Sequence, residues 1–336
     1  MRLLITGALG FVGANLVRRL ADSPTTTIIA TDLREPDDAI QRYWAPVQQR
    51  IKVARLDVTQ ANDLLDLASQ EGITHILHCA AITPSLEDER VRPNLVSTVN
   101  LLGTLNVLAA LQQTDSVQRL LLMSSSGVYR MPQGRAHTAR GAGAQISEDG
   151  PLALDNLYAI TKYSAELLAA RYRVLSGKDI ASIRLGPFYG PLERRSPSRP
   201  HLSVPGRLFS ALQSGQPLTI AGPDITRDWI YADDAANALG ALLAAPQWWY
   251  DVYNLGVGRP ISLREMVEAF EDQGLSVTWR DTPEEADIGM SHSHGRQTMS
   301  IRRISGDAGW QPIADPRLHV AEMCRTSPED EAELPR

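Results

Sequence analysis

The chain has almost no cysteine. Cys79 and Cys324 are the only two in 336 residues and lie far apart. That excludes a disulfide framework and a thiolate metal cluster and fits a reduced, cytoplasmic setting. A long basic run is also missing. With 33 Lys and Arg against 39 Asp and Glu, the net charge is −6, so nucleic acid is not an expected partner. No apolar run is long enough to be expected to cross a membrane. Leu3–Val17 is apolar enough to imitate a signal peptide, but it carries three glycines, a single leading cation (Arg2) and no following small-residue cleavage site. No internal repeat is present. What remains is a chain that can bury a sizeable core, as one large α/β domain or as a domain with a smaller lobe.

The first half alternates strand and helix signals. Apolar or β-branched runs at Arg2–Thr6, Thr27–Thr31, Ile51–Leu56, His75–His78, Arg119–Met123 and Ile180–Leu185 predict strands. Between them, Gly10–Ala21, Asn62–Gln70, Pro93–Gln113 and Asn156–Leu175 predict helices. This rhythm predicts a Rossmann-type, doubly wound parallel sheet. Pro132–Pro151 predicts a surface loop. After Gly186 proline and glycine become frequent and the predicted elements shorten. The expected organisation is a dinucleotide-binding domain over residues 1–185, a smaller substrate lobe over 186–326 from which some segments return to the first domain, and an acidic tail over 327–336.

Three local patterns carry chemistry. Gly7, Gly10 and Gly13 form G-x-x-G-x-x-G between a strand and a helix. There glycine permits a tight turn, the approach of a pyrophosphate and close helix packing, and the helix N-terminus offers N–H groups to phosphate. Asp32 ends the next strand, where a carboxylate accepts ribose hydroxyls and repels a 2′-phosphate, favouring NAD over NADP; Arg34, two residues on, is the counter-argument. Asp57 ends the third strand, either contacting adenine or capping a turn. Tyr158 and Lys162 stand four residues apart, on one helix face. An ammonium there favours a phenolate that can take a proton from an alcohol losing hydride.

With these residues in order, the chain resembles the extended short-chain dehydrogenase/reductases, the family of NAD-dependent sugar epimerases and dehydratases, from Arg2 to about Trp310. The resemblance also runs through Asp57-Val58, His78-Cys79-Ala80-Ala81, Asn100 with Gly103–Leu108, Ser124–Tyr129, Tyr189-Gly190-Pro191, Arg227–Tyr231 and Tyr253–Gly256. It implies Tyr158 as general acid–base, Lys162 on the nicotinamide ribose and Ser125 on the reacting oxygen. It implies a cofactor site of Gly7, Gly10, Phe11, Val12, Gly13, Asp32, Leu33, Asp57, Val58, Cys79, Ala80, Ala81 and Asn100, with Tyr158 and Lys162. Ser126, Pro187 and Arg227 are the substrate-side positions. A homodimer is implied, with the Pro93–Gln113 and Tyr158 helices pairing with their symmetry mates; apolar side chains recur along Leu101, Leu105, Leu108 and Leu111, enough to cover both the sheet and a partner.

The reaction is harder to read. Dehydratases of this family carry an acidic pair where Ser126 and Gly127 stand, and decarboxylases a Glu where Gly127 stands. Two activities remain: a dehydrogenase of a free sugar, sugar acid or polyol, and a nucleotide-sugar epimerase. Pro187 replaces the family's phosphate-side Asn, and Arg296 lies too close to Trp310 for the second phosphate-binding Arg. These departures favour the dehydrogenase. Arg227 is retained, and Arg194, Arg195 and Arg199 form a cationic loop. A dinucleotide sensor without turnover is the minor third alternative. His292 and His294 lack an acidic or thiol partner, so no metal is expected. Trp248, Trp249 and Tyr250 are expected to pack at a helix end or an interface.

Overall fold

Leu3, Leu4 and Ile5 are apolar without interruption, the pattern of a strand buried on both faces. A computed structural model, which describes residues 1–129, 145–196, 199, 201–291 and 294–327, places them in Arg2–Thr6 (β1) at the centre of a sheet. Thr27–Asp32 (β2), Ile51–Arg55 (β3), His75–His78 (β4), Arg119–Ser125 (β5), Asp179–Leu185 (β6) and a later strand, Val252–Leu255, complete it. The order is Val252–Leu255, β6, β5, β4, β1, β2, β3, with every pairing parallel. Strand order reverses between β1 and β4, the point where such sheets open a crevice for ligands.

Side chains alternate along each strand. Leu3 and Ile5 join a core with Leu16, Val17, Leu239 and Leu242, from helices Phe11–Leu20 and Ala232–Ala244. Leu4 points the other way, with Ile76 and Leu120, into Leu64, Val107, Leu111 and Ala165 of the helices Ala61–Gln70, Gly103–Gln113 and Leu157–Ser176. Fully burying each such Leu or Ile contributes about 1.5–3 kcal/mol.

The predicted long helix from Pro93 to Gln113 is interrupted. Pro93–Ser97 and Gly103–Gln113 are α-helical, and Thr98–Leu102 between them is a π turn. By length and composition this helix is apolar enough to cross a bilayer, contrary to the sequence expectation. Its apolarity is used here against the sheet, through Val107, Leu108 and Leu111.

The smaller lobe centres on Leu218–Ala221, flanked in parallel by Val277–Trp279 and Ile288–Gly289. Segments beyond residue 185 return to the large sheet. Val252–Leu255 pairs with β6, and Ala232–Ala244 packs on Phe11–Leu20. Of the expected Pro132–Pro151 loop, residues 132–144 lie outside the described residues, as does the tail beyond Ser327.

Candidate active site

β1 ends at Thr6 and the chain turns at Gly7, whose φ is +64°. A Cβ on Gly7 would stand 2.6 Å from Ala80 Cα, just past the end of β4. Only glycine lets these two segments meet at the crevice. Gly10 is the N-cap of Phe11–Leu20 and supplies no capping side chain. The first amides, those of Phe11, Val12 and Gly13, are therefore left for an anion. Gly13 answers the loop rather than the sheet, for its Cβ would lie 2.2 Å from Gly7 O and 2.9 Å from Ala8 Cα.

A cavity of about 380 Å³ opens beside this loop, lined by Gly7, Gly10, Asp32, Leu33, Asp57, Val58, Cys79, Ala80 and Ala81. Asp32 Oδ2 accepts from Leu9 N at 3.2 Å. Arg34 pairs with Asp32 Oδ1 at 3.4 Å and donates to Leu9 O at 3.3 Å, so it is engaged by the carboxylate that it was to compete with. Asp57 Oδ1 caps its turn, accepting from Thr59 N at 2.9 Å and Thr59 Oγ1 at 2.8 Å, while Asp57 also walls the cavity. Burial pushes the Cys79 thiol up to about 12, which suits packing and not nucleophilic attack. The glycine cradle, the uncapped helix and a wall ending in a carboxylate fit a dinucleotide.

Asn100 is not on that wall. Its Oδ1 accepts from Ile82 N at 2.8 Å, and its Nδ2 donates to Ile82 O at 3.1 Å and to Thr161 Oγ1 at 3.1 Å. The buried amide ties the segment after β4 to the helix of Tyr158. Asn100 lies within the π turn and is buried.

The helix of Tyr158 and Lys162 begins at Asn156, whose side chain accepts from Ala159 N at 2.9 Å. Tyr158 lies in its first turn and Lys162 one turn on, with Lys162 Nζ 5.7 Å from the centroid of the phenol ring. Lys162 Nζ donates to Met123 O of β5 at 2.8 Å, and among the described residues no carboxylate pairs with it. The nearby His78 ring is held by Thr6 Oγ1 at 2.6 Å and Thr104 Oγ1 at 3.3 Å. Burial and the Lys162 cation push it down to about 3, so it is neutral at pH 7 and adds no second charge. β5 delivers Ser125, whose Oγ accepts from Gly127 N at 3.0 Å; the helix packs on the Ser126–Val128 turn that follows.

On the substrate side, Pro187 is a backbone support: its carbonyl accepts from Ile230 N at 2.9 Å. Arg227 Nε donates to His294 O at 3.0 Å, and Arg296 N donates to Thr226 O at 3.1 Å. The two arginines therefore run side by side. Burial first, and the Arg296 charge second, push the Arg227 guanidinium down to about 10. The sequence spacing argued against Arg296 as a second cation of the site; the chain returns past Thr226 and brings it beside Arg227. The cationic loop is spent elsewhere. Arg194 pairs with Asp37 at 3.0 Å, and Arg199 pairs with Glu193 and lies 4.9 Å from the Phe11 ring. Arg195 is exposed. His294 Nδ1 accepts from Ser291 N at 3.1 Å; His292 lies outside the described residues. Trp248 is buried, its Nε1 donating to Leu242 O at 2.7 Å, and Trp249 is exposed.

Comparison with known proteins agrees with this geometry. The model of the NAD-dependent epimerase/dehydratase family matches residues 3–256. A UDP-glucuronate 4-epimerase of Thermodesulfobacterium geofontis is 29% identical over 277 residues, covering 80% of this chain and 79% of its own. MoeE5, solved in complex with UDP-glucuronic acid and NAD, is 25% identical with a TM-score of 0.73, over 98% of this chain and 100% of its own. The UDP-glucuronic acid 4-epimerase of Bacillus cereus, solved with UDP-glucuronic acid and NAD, shares the fold at 22% identity and a TM-score of 0.74, over 97% of this chain and 98% of its own. The expectation of a free-sugar or polyol dehydrogenase finds no support among these relatives.

Proposed function

Because the chain belongs to the NAD-dependent epimerase/dehydratase family, we propose that it is a nucleotide-sugar 4-epimerase, with the UDP-glucuronate/UDP-galacturonate pair as its first candidate substrates. NAD is the cofactor and supplies hydride removal and return. Tyr158 takes the proton of the 4-hydroxyl and gives it back after the sugar has turned. Ser125 hydrogen-bonds that oxygen. The Lys162 cation stands beside the phenol to stabilise its charged form. The absence of acids at Ser126 and Gly127 leaves an elimination without its proton donor.

One observation carries the nucleotide part: Arg227 and Arg296 held together. Two neighbouring, half-buried guanidinium groups offer a diphosphate several donors for charge-assisted hydrogen bonds. The test is calorimetry with UDP, followed by incubation with UDP-glucuronate and separation of the epimers. Micromolar UDP binding and formation of the second epimer without net NADH are expected. No UDP binding, together with NADH release on free sugar acids, would restore the dehydrogenase.

A homodimer is part of the proposal. Leu108 and Leu111 are consumed by the sheet, whereas Leu95 and Leu102, with Ile160 and Leu167 on the adjoining catalytic helix, are left exposed. Light scattering is expected to give the dimer mass, and Leu102→Glu with Leu167→Glu the monomer. The free thiols of Cys79 and Cys324 fit a cytoplasmic setting.

A further inference from the structure

We infer that the buried Glu166–Arg184 pair is a positioning device that fixes Ser125, Tyr158 and Lys162 in one geometry; the inference rests on the catalytic roles proposed above. Residues 158, 162 and 166 recur every four positions and share a helix face. That face is tied to β5 twice. Lys162 donates to Met123 O, and the hydroxyl of the next residue, Ser124, donates to Glu166 Oε1. Ser124 and Ser125 point to opposite sides of the strand, so anchoring the first orients the second.

Arg184, on β6, then locks Glu166. Its Nε lies 3.1 Å from both carboxylate oxygens and its Nη2 2.7 Å from Oε2. Its Nη1 donates to the Tyr129 hydroxyl at 2.9 Å and to Glu148 O at 2.7 Å. The two side chains are 5% and 3% exposed. Tyr129, four residues after Ser125, donates in turn to Asn254 Oδ1 at 2.6 Å. Asn254 Nδ2 donates to Ser300 O at 3.1 Å, and Met299 N donates to Asp228, beside Arg227, at 2.8 Å. Buried directed bonds thus run from the helix of Tyr158 toward Asp228, the residue next to Arg227 in sequence. Stability alone does not call for ions there, since well-packed apolar residues of similar volume are commonly as good or better. Directed, charge-assisted bonds specify one orientation, which packing does not.

The test is the double variant Glu166→Leu with Arg184→Met, which removes the bonds and leaves no unpaired buried charge. It is expected to melt at or above the wild-type temperature and to keep NAD affinity and substrate KM. Its kcat falls about 100-fold, the loss that a misplacement of about 1 Å can cause. Backbone hydrogen exchange rises at Leu157–Lys162 and is unchanged at Gly7–Gly13. Ser124→Ala removes one bond and no charge, and keeps the test decisive if the double variant fails to fold; its kcat falls about tenfold with KM unchanged. Wild-type kcat in the folded double variant, or in Ser124→Ala, overturns the inference. The exchange measurement needs no substrate. A wild type that turns over no UDP-sugar therefore sinks the epimerase, whereas unchanged protection at Leu157–Lys162 in the double variant sinks the positioning role.

Discussion

Removing a cation from the arginine pair should strengthen the empty protein and weaken its grip on UDP. Arg227 sits at about 10 where 12.5 is ordinary, with burial the larger cause and Arg296 the smaller. Keeping the charged form at pH 7 against such a shift amounts to on the order of 3 kcal/mol. Arg296→Met releases the repulsive part of it; Arg227→Met releases both parts and, among the described residues, loses the bond to His294 O. Each released kcal/mol raises the melting temperature by roughly 2–4 °C in a domain of this size class. The same change deletes charge-assisted bonds to the diphosphate, so UDP affinity falls roughly 10- to 100-fold per arginine. The assay is a pair of melting curves for each variant, without UDP and with UDP at a fixed concentration, backed by calorimetry. The ligand-free curves should move up and the gap between the curves should close. Variants that melt lower without UDP while binding it as tightly as wild type would refute the argument.

Three further outcomes follow from the site. Tyr158→Phe keeps the ring but not the proton, and should lower kcat by roughly 10²–10⁴-fold with NAD affinity retained; steady-state kinetics and an NAD titration check this. Gly13→Ala places a methyl group 2.2 Å from Gly7 O, so the cradle must open, and calorimetry should show NAD binding lost with the melting temperature lowered. His78 is buried neutral and pushed down from 6.5 to about 3. The unfolded chain therefore binds more protons over that interval, and stability falls as pH drops from about 6.5 toward 3, by as much as about 5 kcal/mol. Urea midpoints measured against pH should show this slope in the wild type and a flatter one in His78→Asn.

Most of the large sheet was legible because its strands are short runs rich in apolar or β-branched residues, several of them ended by Gly or Asp, as at Gly7, Asp32 and Gly186, signals that need no tertiary information. Gly7, Gly10, Asp32, Tyr158 and Lys162 were legible for the same reason: each is a local spacing on a strand end or helix turn. What escaped depended on distant segments. The helix Asp38–Trp44 has only seven residues, too few for a periodic signal, although Asp37 is a visible N-cap. The π turn left one trace, Asn100 as a polar residue in an apolar helix. The place of Arg296 is set by the return of the chain past Thr226, so its distance from Trp310 along the sequence carried no information.

The late arrival of Val252–Leu255 in the sheet has a consequence for synthesis. β6 is finished at Leu185, but the strand that covers its outer edge leaves the ribosome some 70 residues later, a delay of roughly 4–14 s at ordinary elongation rates. During that interval the nascent sheet carries a naked, apolar edge, the kind of surface that recruits other chains. Expression of residues 1–185 alone would make that interval permanent. The shortest fragment able to close its own sheet ends beyond Leu255, so the binding half of this enzyme and the lobe above it are a single unit of folding.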